Sequence, residues 1–247
     1  MGIWSKIFGS SKHLPDALAD YSILKTDIHS HLIPGIDDGA KSLEDSISLI
    51  NGFVEFGYQK LITTPHIMGD FYRNTPEIIL RGLDAVRSEI AKQNIPIQIE
   101  AAAEYYLDAD FEAKLRNEKL LTFGDNYLLF EISYLNEPDG LMPAIFEMQM
   151  KGYKPVLAHP ERYPYFYNKP EIYSEITERG ALLQLNINSL SGHYGPGALK
   201  IGEKLLKEGL VSFLGSDCHH AGHQNLMKKV LNDSRLRLTH EVLNLTL

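Results

Sequence analysis

One unit recurs along this chain and limits the folds open to it. A short apolar run ends in a histidine, a carboxylate or an asparagine, and a segment of helical periodicity follows. The runs are residues 21–31 (YSILKTDIHSH), 60–66 (KLITTPH), 95–106 (IPIQIEAAAEYY), 126–134 (NYLLFEISY), 154–163 (KPVLAHPERY), 181–190 (ALLQLNINSL) and 209–220 (GLVSFLGSDCHH). Runs this apolar suit strands buried on both faces of a parallel sheet. Between them the helical signals are clear. Ser42 stands as an N-cap with Asp45 at its N3 position, Leu43, Ile47, Ile50 and Val54 follow at helical spacing, and Gly57 closes the segment. Pro76 opens the next helix, and residues 140–152 carry another. Strand–helix alternation predicts right-handed crossovers around a parallel sheet.

Six of the seven runs end in a metal-capable side chain. An open doubly wound sheet gathers its site at one switch point, from few strands. A closed barrel brings all its C-terminal strand ends to one face. The expected fold is therefore an α/β barrel, with residues 21–247 as a single domain and residues 1–20 as a leader.

The strand ends and the first loop offer His29, His31, Asp38, His66, Glu104, Glu131, His159, Asp217 and His219. Four carboxylates crowded into one mouth would raise each other's pKa unless cations neutralise them. Mixed imidazole and carboxylate ligation suits manganese, iron or zinc, and nine ligands exceed the needs of one tetrahedral ion. Two or three ions with bridging carboxylates follow. Such a cluster lowers the pKa of a bridging water and clamps the oxygens of a tetrahedral transition state. Any one of these residues alone has an ordinary structural reading; their joint occurrence at buried strand ends is the signal.

Arg162 lies three residues past His159 and can hold a phosphate through a bidentate contact, or pair with Glu161. Arg73, after His66, is a second candidate for substrate binding, or a solvated surface arginine. Tyr105, Tyr106, Tyr163, Tyr165, Phe166 and Tyr167 either build an aromatic pocket or pack the barrel rim. A cysteine-based phosphatase would need an arginine six residues after Cys218; position 224 is Gln. No G-x-S-x-G elbow is present. No strand end offers the lysine that an amidohydrolase-type site uses as a carbamylated bridge. A scaffold with a decayed site fits poorly with a complete ligand set.

The formal charge of −8 argues against nucleic acid as partner. A single cysteine fits a reducing compartment, so a cytoplasmic location is expected. No apolar run approaches the roughly 20 residues of a membrane span. The leader MGIWSKIFGSSKH lacks a signal-peptide core, and Lys6 breaks the myristoylation pattern. Its Ile3, Trp4, Ile7 and Phe8 leave two readings: a loosely packed leader, or a docking segment for a partner or a membrane surface.

DIHSHLIPGIDDG, TTPH, AAAEYY, LLFEIS, AHPERY and GSDCH, in that order, resemble the polymerase-and-histidinol-phosphatase (PHP) superfamily. Within it the chain is most similar to the bacterial capsule and exopolysaccharide-type protein-tyrosine phosphatases, from about residue 25 to 245. The resemblance implies a distorted (β/α)7 TIM-like barrel and three divalent ions, manganese first, iron or zinc otherwise. It implies that His29, His31, Glu104 and Asp217 hold one metal, Glu104, Glu131 and His159 a second, and Asp38, His66 and His219 a third. Arg162 falls on the family's phosphate-binding arginine. The implied reaction is hydrolysis of phosphotyrosine on a tyrosine kinase of polysaccharide export, by metal-activated hydroxide and without a phosphoenzyme. A PHP-type phosphatase of a small monoester such as histidinol phosphate is the alternative. Some members carry a second arginine after the last motif. This chain has HHAGHQNL there, so His220 or His223 takes on phosphate binding or protonation of the leaving oxygen.

Overall fold

The structure, a computed structural model, describes residues 20–233, 235–236 and 242–247. The two readings of the leader concern residues that lie outside this range, Asp20 excepted. Among the described residues no helix is long and apolar enough to cross a membrane.

The described residues form nine strand segments: β1 (Thr26–Asp27), β2 (Lys60–Thr63), β3 (His66–Ile67), β4 (Gln98–Ala101), β5 (Glu104–Tyr106), β6 (Tyr127–Glu131), β7 (Lys154–Ala158), β8 (Leu182–Asn186) and β9 (Val211–Gly215). Their pairings are all parallel, in the orders β1-β2-β4 and β3-β5-β6-β7-β8-β9. They occupy the seven expected runs, because two runs are each split. Thr64 and Pro65 separate β2 from β3, where Pro65 has no N–H to give a ladder. Ala102 and Ala103 separate β4 from β5. Hydrogen bonds from Ala102 N to Thr63 O (2.9 Å) and Glu104 N to Pro65 O (3.1 Å) carry the two broken runs past the gap together.

The first run differs most from expectation. Ser22–Leu24 form a 3-10 turn, Lys25 takes a positive φ of 59°, and regular strand covers only Thr26–Asp27. Past it, Ser30 makes a parallel bridge with Cys218, His31 N donates to Cys218 O (2.9 Å) and Asp217 N donates to His29 O (2.7 Å). The first and last runs therefore meet, and the seven runs form a distorted ring.

The helices are α1 (Leu43–Glu55), α2 (Pro76–Gln93), α3 (Ala109–Asn117), α4 (Leu141–Met150), α5 (Ile172–Glu178), α6 (Gly195–Lys207) and α7 (Ala221–Asn232). The Ser42 side chain accepts from Asp45 N, and Gly57 follows α1 with φ +86°, as the capping pattern requires. The larger apolar core packs helices on the sheet. A smaller cluster takes Ile28, Ile62, Ala102, Leu129, Val156, Ala158 and Phe213 from six runs, with Phe123. A side chain from nearly every strand is what a filled barrel interior needs. The polar strand ends follow on the C-terminal side of this cluster.

Candidate metal centre

All nine expected ligands come together at the C-terminal strand ends. His29, His31 and Glu104 are fully buried, His159, Asp217 and Glu131 nearly so, while about half of the Asp38 side chain is exposed (51%). The carboxylate Glu104 is central. Its Oε2 lies 3.1 Å from His29 Nε2, 3.2 Å from His66 Nδ1 and 3.5 Å from His31 Nε2, and its Oε1 lies 3.0 Å from His159 Nε2.

Among the described residues three groups have ligand atoms within 4.8 Å of one another: His29, His31 and Glu104; His66, Glu104 and Glu131; and His31, Asp38, His66 and His219. Asp217 Oδ1 stands 3.5 Å from the Nε2 atoms of both His29 and His31, beside the first group. His159 Nε2 stands 3.9 Å from Glu131 Oε2, beside the second. His31 and His66 each reach two of these groups, while Asp217 and His159 stand beside them, so imidazoles share the middle of the cluster with Glu104.

The residues fit metal ions on a direct observation. Glu104 Oε2 and His66 Nδ1 are both buried without a hydrogen-bond partner, although they approach each other. Leaving such groups unpaired is strongly unfavourable, and a cation between them satisfies both. The charges tell the same story. Burial pushes Glu104 and Asp217 up, yet the surrounding imidazoles, His29 foremost, outweigh it and hold both well below the usual carboxylate range. Burial pushes His29 and His66 down, but Glu104 and its neighbours raise them to about 9 and about 10. Buried carboxylates here demand positive charge, from protons or from metals.

Outer partners aim the rings. His29 Nδ1 lies 2.8 Å from Gln184 Oε1, and His31 Nδ1 lies 2.8 Å from Asp37 Oδ2. Both Nε2 atoms therefore turn to the centre, 3.4 Å apart. Asp37 also accepts from Gly39 N (3.0 Å) and His66 N (3.2 Å), outside the ligand groups. Gly39 is required by close approach, since a Cβ there would stand 2.2 Å from His31 O. His159 (φ 35°) and Asp217 (φ 49°) hold positive φ without being glycine, a conformation of order 1–3 kcal/mol that surrounding structure must enforce.

One wall of the cleft carries Arg162. Its Nη1 donates to Asp217 Oδ2 (2.8 Å), and its guanidinium lies 4.9 Å from the Tyr134 ring centroid and 4.1 Å from that of Tyr194. The pairing with Glu161 does not form. Glu161 points inward, accepting from Ser189 Oγ (2.6 Å) and Asn186 N (3.2 Å), while Asn186 Nδ2 donates to Asp217 Oδ2 (2.8 Å). His220 and His223 both line the cleft. His220 Nδ1 accepts from Gly222 N (3.1 Å) and caps α7. Burial, with some relief from Asp217, pushes His223 down to about 4. Arg73 sits elsewhere: its Nε donates to Gly69 O (2.8 Å), and it lines a neighbouring cleft with Asp108, Asp110 and Lys114. Of the aromatic candidates, Tyr106 lines the metal cleft, while Tyr105, Tyr163 and Phe166 pack in the core. Sequence reading missed Tyr134, Tyr194 and Gln184. Tyr134 ended the fourth run, but nothing local marked it as a partner of Arg162.

The family pattern "Capsular polysaccharide synthesis, CpsB/CapC" matches residues 25–240. The chain is 31% identical over 200 residues to tyrosine-protein phosphatase YwqE of Bacillus subtilis, covering 81% of this chain and 79% of that protein. It is 30% identical to tyrosine-protein phosphatase CpsB of Streptococcus agalactiae, covering 78% and 82%. A crystal structure from work on YwqE and on CpsB of Streptococcus pneumoniae, described as metal-dependent tyrosine phosphatases, superposes with TM-score 0.77 at 30% identity over 84% of this chain and 85% of that one. A histidinol phosphate phosphatase of Lactococcus lactis shares the fold at TM-score 0.53 and 13% identity, covering 87% and 95%.

Proposed function

The chain belongs to the CpsB/CapC family of capsular polysaccharide synthesis, and we infer that it is a metal-dependent tyrosine-protein phosphatase acting on phosphotyrosyl protein. The observation that carries this reading is the placement of Arg162 beside a buried, cation-demanding cluster in a cleft of about 590 Å3. That volume lies within the roughly 300–1,000 Å3 of small-ligand pockets. The histidinol phosphate alternative rests on shared fold alone, at 13% identity.

The proposed holoenzyme binds three divalent ions, manganese the first to test. One is held by His29, His31, Glu104 and Asp217, a second by Glu104, Glu131 and His159, and a third by Asp38, His66 and His219. When bound, the ions supply Lewis-acid charge to the phosphoryl oxygens and lower the pKa of the attacking water. The protein's own groups do the rest. Arg162 is fixed by cation–π contacts with two tyrosine rings and a hydrogen bond to one carboxylate, so its remaining N–H groups meet the phosphate already oriented. His220 and His223 line the cleft beside Arg162, and we assign them hydrogen bonds to phosphate or to the leaving oxygen. A tyrosine leaving group, pKa about 10, needs no strong acid. Cys218 is not a nucleophile: burial pushes its thiol well up and it packs in the wall. Arg73 has no part in the proposed machinery. The substrate proposed is a tyrosine kinase of polysaccharide export, met in the cytoplasm.

Hydrolysis of p-nitrophenyl phosphate and of a phosphotyrosine peptide tests the reading. Turnover should require Mn2+ and vanish on chelation, and the peptide should be preferred over its phosphoserine counterpart. Activity indifferent to chelation would overturn the metal mechanism, and equal rates on both peptides the tyrosine specificity.

A further inference from the structure

The mouth of the metal cleft has two chemically different halves. Loops after β7, β8 and β9 bring Arg162, Tyr194, His220 and His223. The neighbouring strands β3, β5 and β6, with the loops after them, bring the ligands His66, Glu104 and Glu131 to the floor and the uncharged Met68, Phe71, Tyr106 and Leu135 around them. Two of these are left in water: Phe71 is 72% exposed and Leu135 is 87% exposed. Large apolar side chains exposed together at a cleft mouth point to a binding surface.

Neither residue sits on a frayed segment. Phe71 N donates to Met68 O (3.1 Å), inside a tight turn closed by the antiparallel bridge Met68–Tyr72. The Tyr72 ring stacks on His66, 5.4 Å between centroids, so the turn is tied to the metal cluster itself. Leu135 N donates to Ser133 Oγ (3.1 Å), as does Asn136 N (3.3 Å), and Tyr165 OH donates to Ser133 O. Both side chains are thus presented on hydrogen-bonded turns at fixed places over the cleft.

Resting on the phosphatase reading above, we propose that Phe71 and Leu135 are specificity residues that seat a large apolar side chain of the substrate polypeptide, next to or one residue removed from its phosphotyrosine. The surface is continuous with the phosphate site, and a polypeptide whose phosphotyrosine reaches Arg162 must cross the mouth. A charged neighbour would find no counter-charge among Met68, Phe71, Tyr106 and Leu135. An apolar one covers surface that is otherwise wet.

Two phosphotyrosine hexapeptides, identical except for Leu or Ser on both sides of the phosphotyrosine, test this in the Mn2+-loaded enzyme. The leucine peptide should have a kcat/KM about tenfold higher, carried by KM, the range one apolar contact gives. In the double variant Phe71→Ser, Leu135→Ser that ratio should fall to about one. Phe71 and Leu135 are exposed, so folding should survive, which circular dichroism checks. A wild-type ratio near one, or a ratio retained in the double variant, overturns the proposal while the phosphatase reading stands. No turnover of either peptide or of p-nitrophenyl phosphate overturns both.

Discussion

At the scale of the residue, Arg162 shows what local sequence hides. Its neighbour Glu161 is the natural ion-pair partner by proximity. His159, in the left-handed region, starts a 3-10 turn at Pro160–Arg162 that sends Glu161 inward and Arg162 toward the cleft. The partner becomes Asp217, on the last run, and the rings beneath the guanidinium are Tyr134 and Tyr194. The ligand candidates were legible because a buried strand seldom ends in an ionisable group without a reason. The rings were not, because Tyr194 follows the one run that ends in asparagine. Arg162→Lys keeps the charge but loses the planar fork and its stacking. Charge-assisted hydrogen bonds contribute about 1.5–3 kcal/mol, so kcat/KM for p-nitrophenyl phosphate should fall about 10–100-fold at saturating Mn2+. A value within twofold of wild type would remove Arg162 from substrate binding.

At the scale of the element, helix starts were read more reliably than strand extents. Ser42 and Thr75 cap α1 and α2, and Pro76 sits in the first turn of α2, because capping is a local exchange between a side-chain oxygen and a nearby N–H. Strand extents depend on partners; only Pro65 in KLITTPH hinted at the break at Thr64–Pro65, and nothing in the alanines of AAAEYY marked the one at Ala102–Ala103. Asp108 joins both levels. Its Oδ1 accepts from Phe111 N (2.7 Å) to cap α3, and its Oδ2 accepts from Gly69 N (3.3 Å) on the loop that presents Phe71. Thr75 makes one longer cap contact, 3.4 Å to Ile78 N. Asp108→Ala should therefore cost about 1–2 kcal/mol and Thr75→Ala about 0.5–1 kcal/mol. Thermal melts should show the first midpoint lowered by several degrees and below the second, at roughly 2–4 °C per kcal/mol for a chain of this size. The reverse order would deny Asp108 its second contact.

At the scale of the whole molecule, the ring has one weak place. The first run gives only two residues of regular strand, so side chains reinforce the few backbone bonds of its joint with the last run. Asp27 Oδ1 accepts from Ser216 N (2.8 Å) and its Oδ2 from Ser216 Oγ (3.0 Å). Asn244, 1% exposed, reaches the same joint from the C-terminal segment. Its Nδ2 donates to Thr26 O (2.9 Å) and Leu214 O (2.7 Å), and its Oδ1 accepts from Leu214 N (2.9 Å). The seven-run count foretold a ring, but not that an asparagine beyond the last helix would hold it shut, since only the closed topology brings residues 26, 214 and 244 together. Asn244→Ala leaves up to three buried backbone groups without this partner, at about 1–3 kcal/mol each when unsatisfied. The midpoint should drop on the order of 10 °C. Thr246→Ala, on the exposed face of the same turn, should stay within about 0.5 kcal/mol of wild type. A similar small effect at both positions would mean that the ring closes without Asn244, leaving the joint to Asp27, Ser216 and the Ser30–Cys218 bridge.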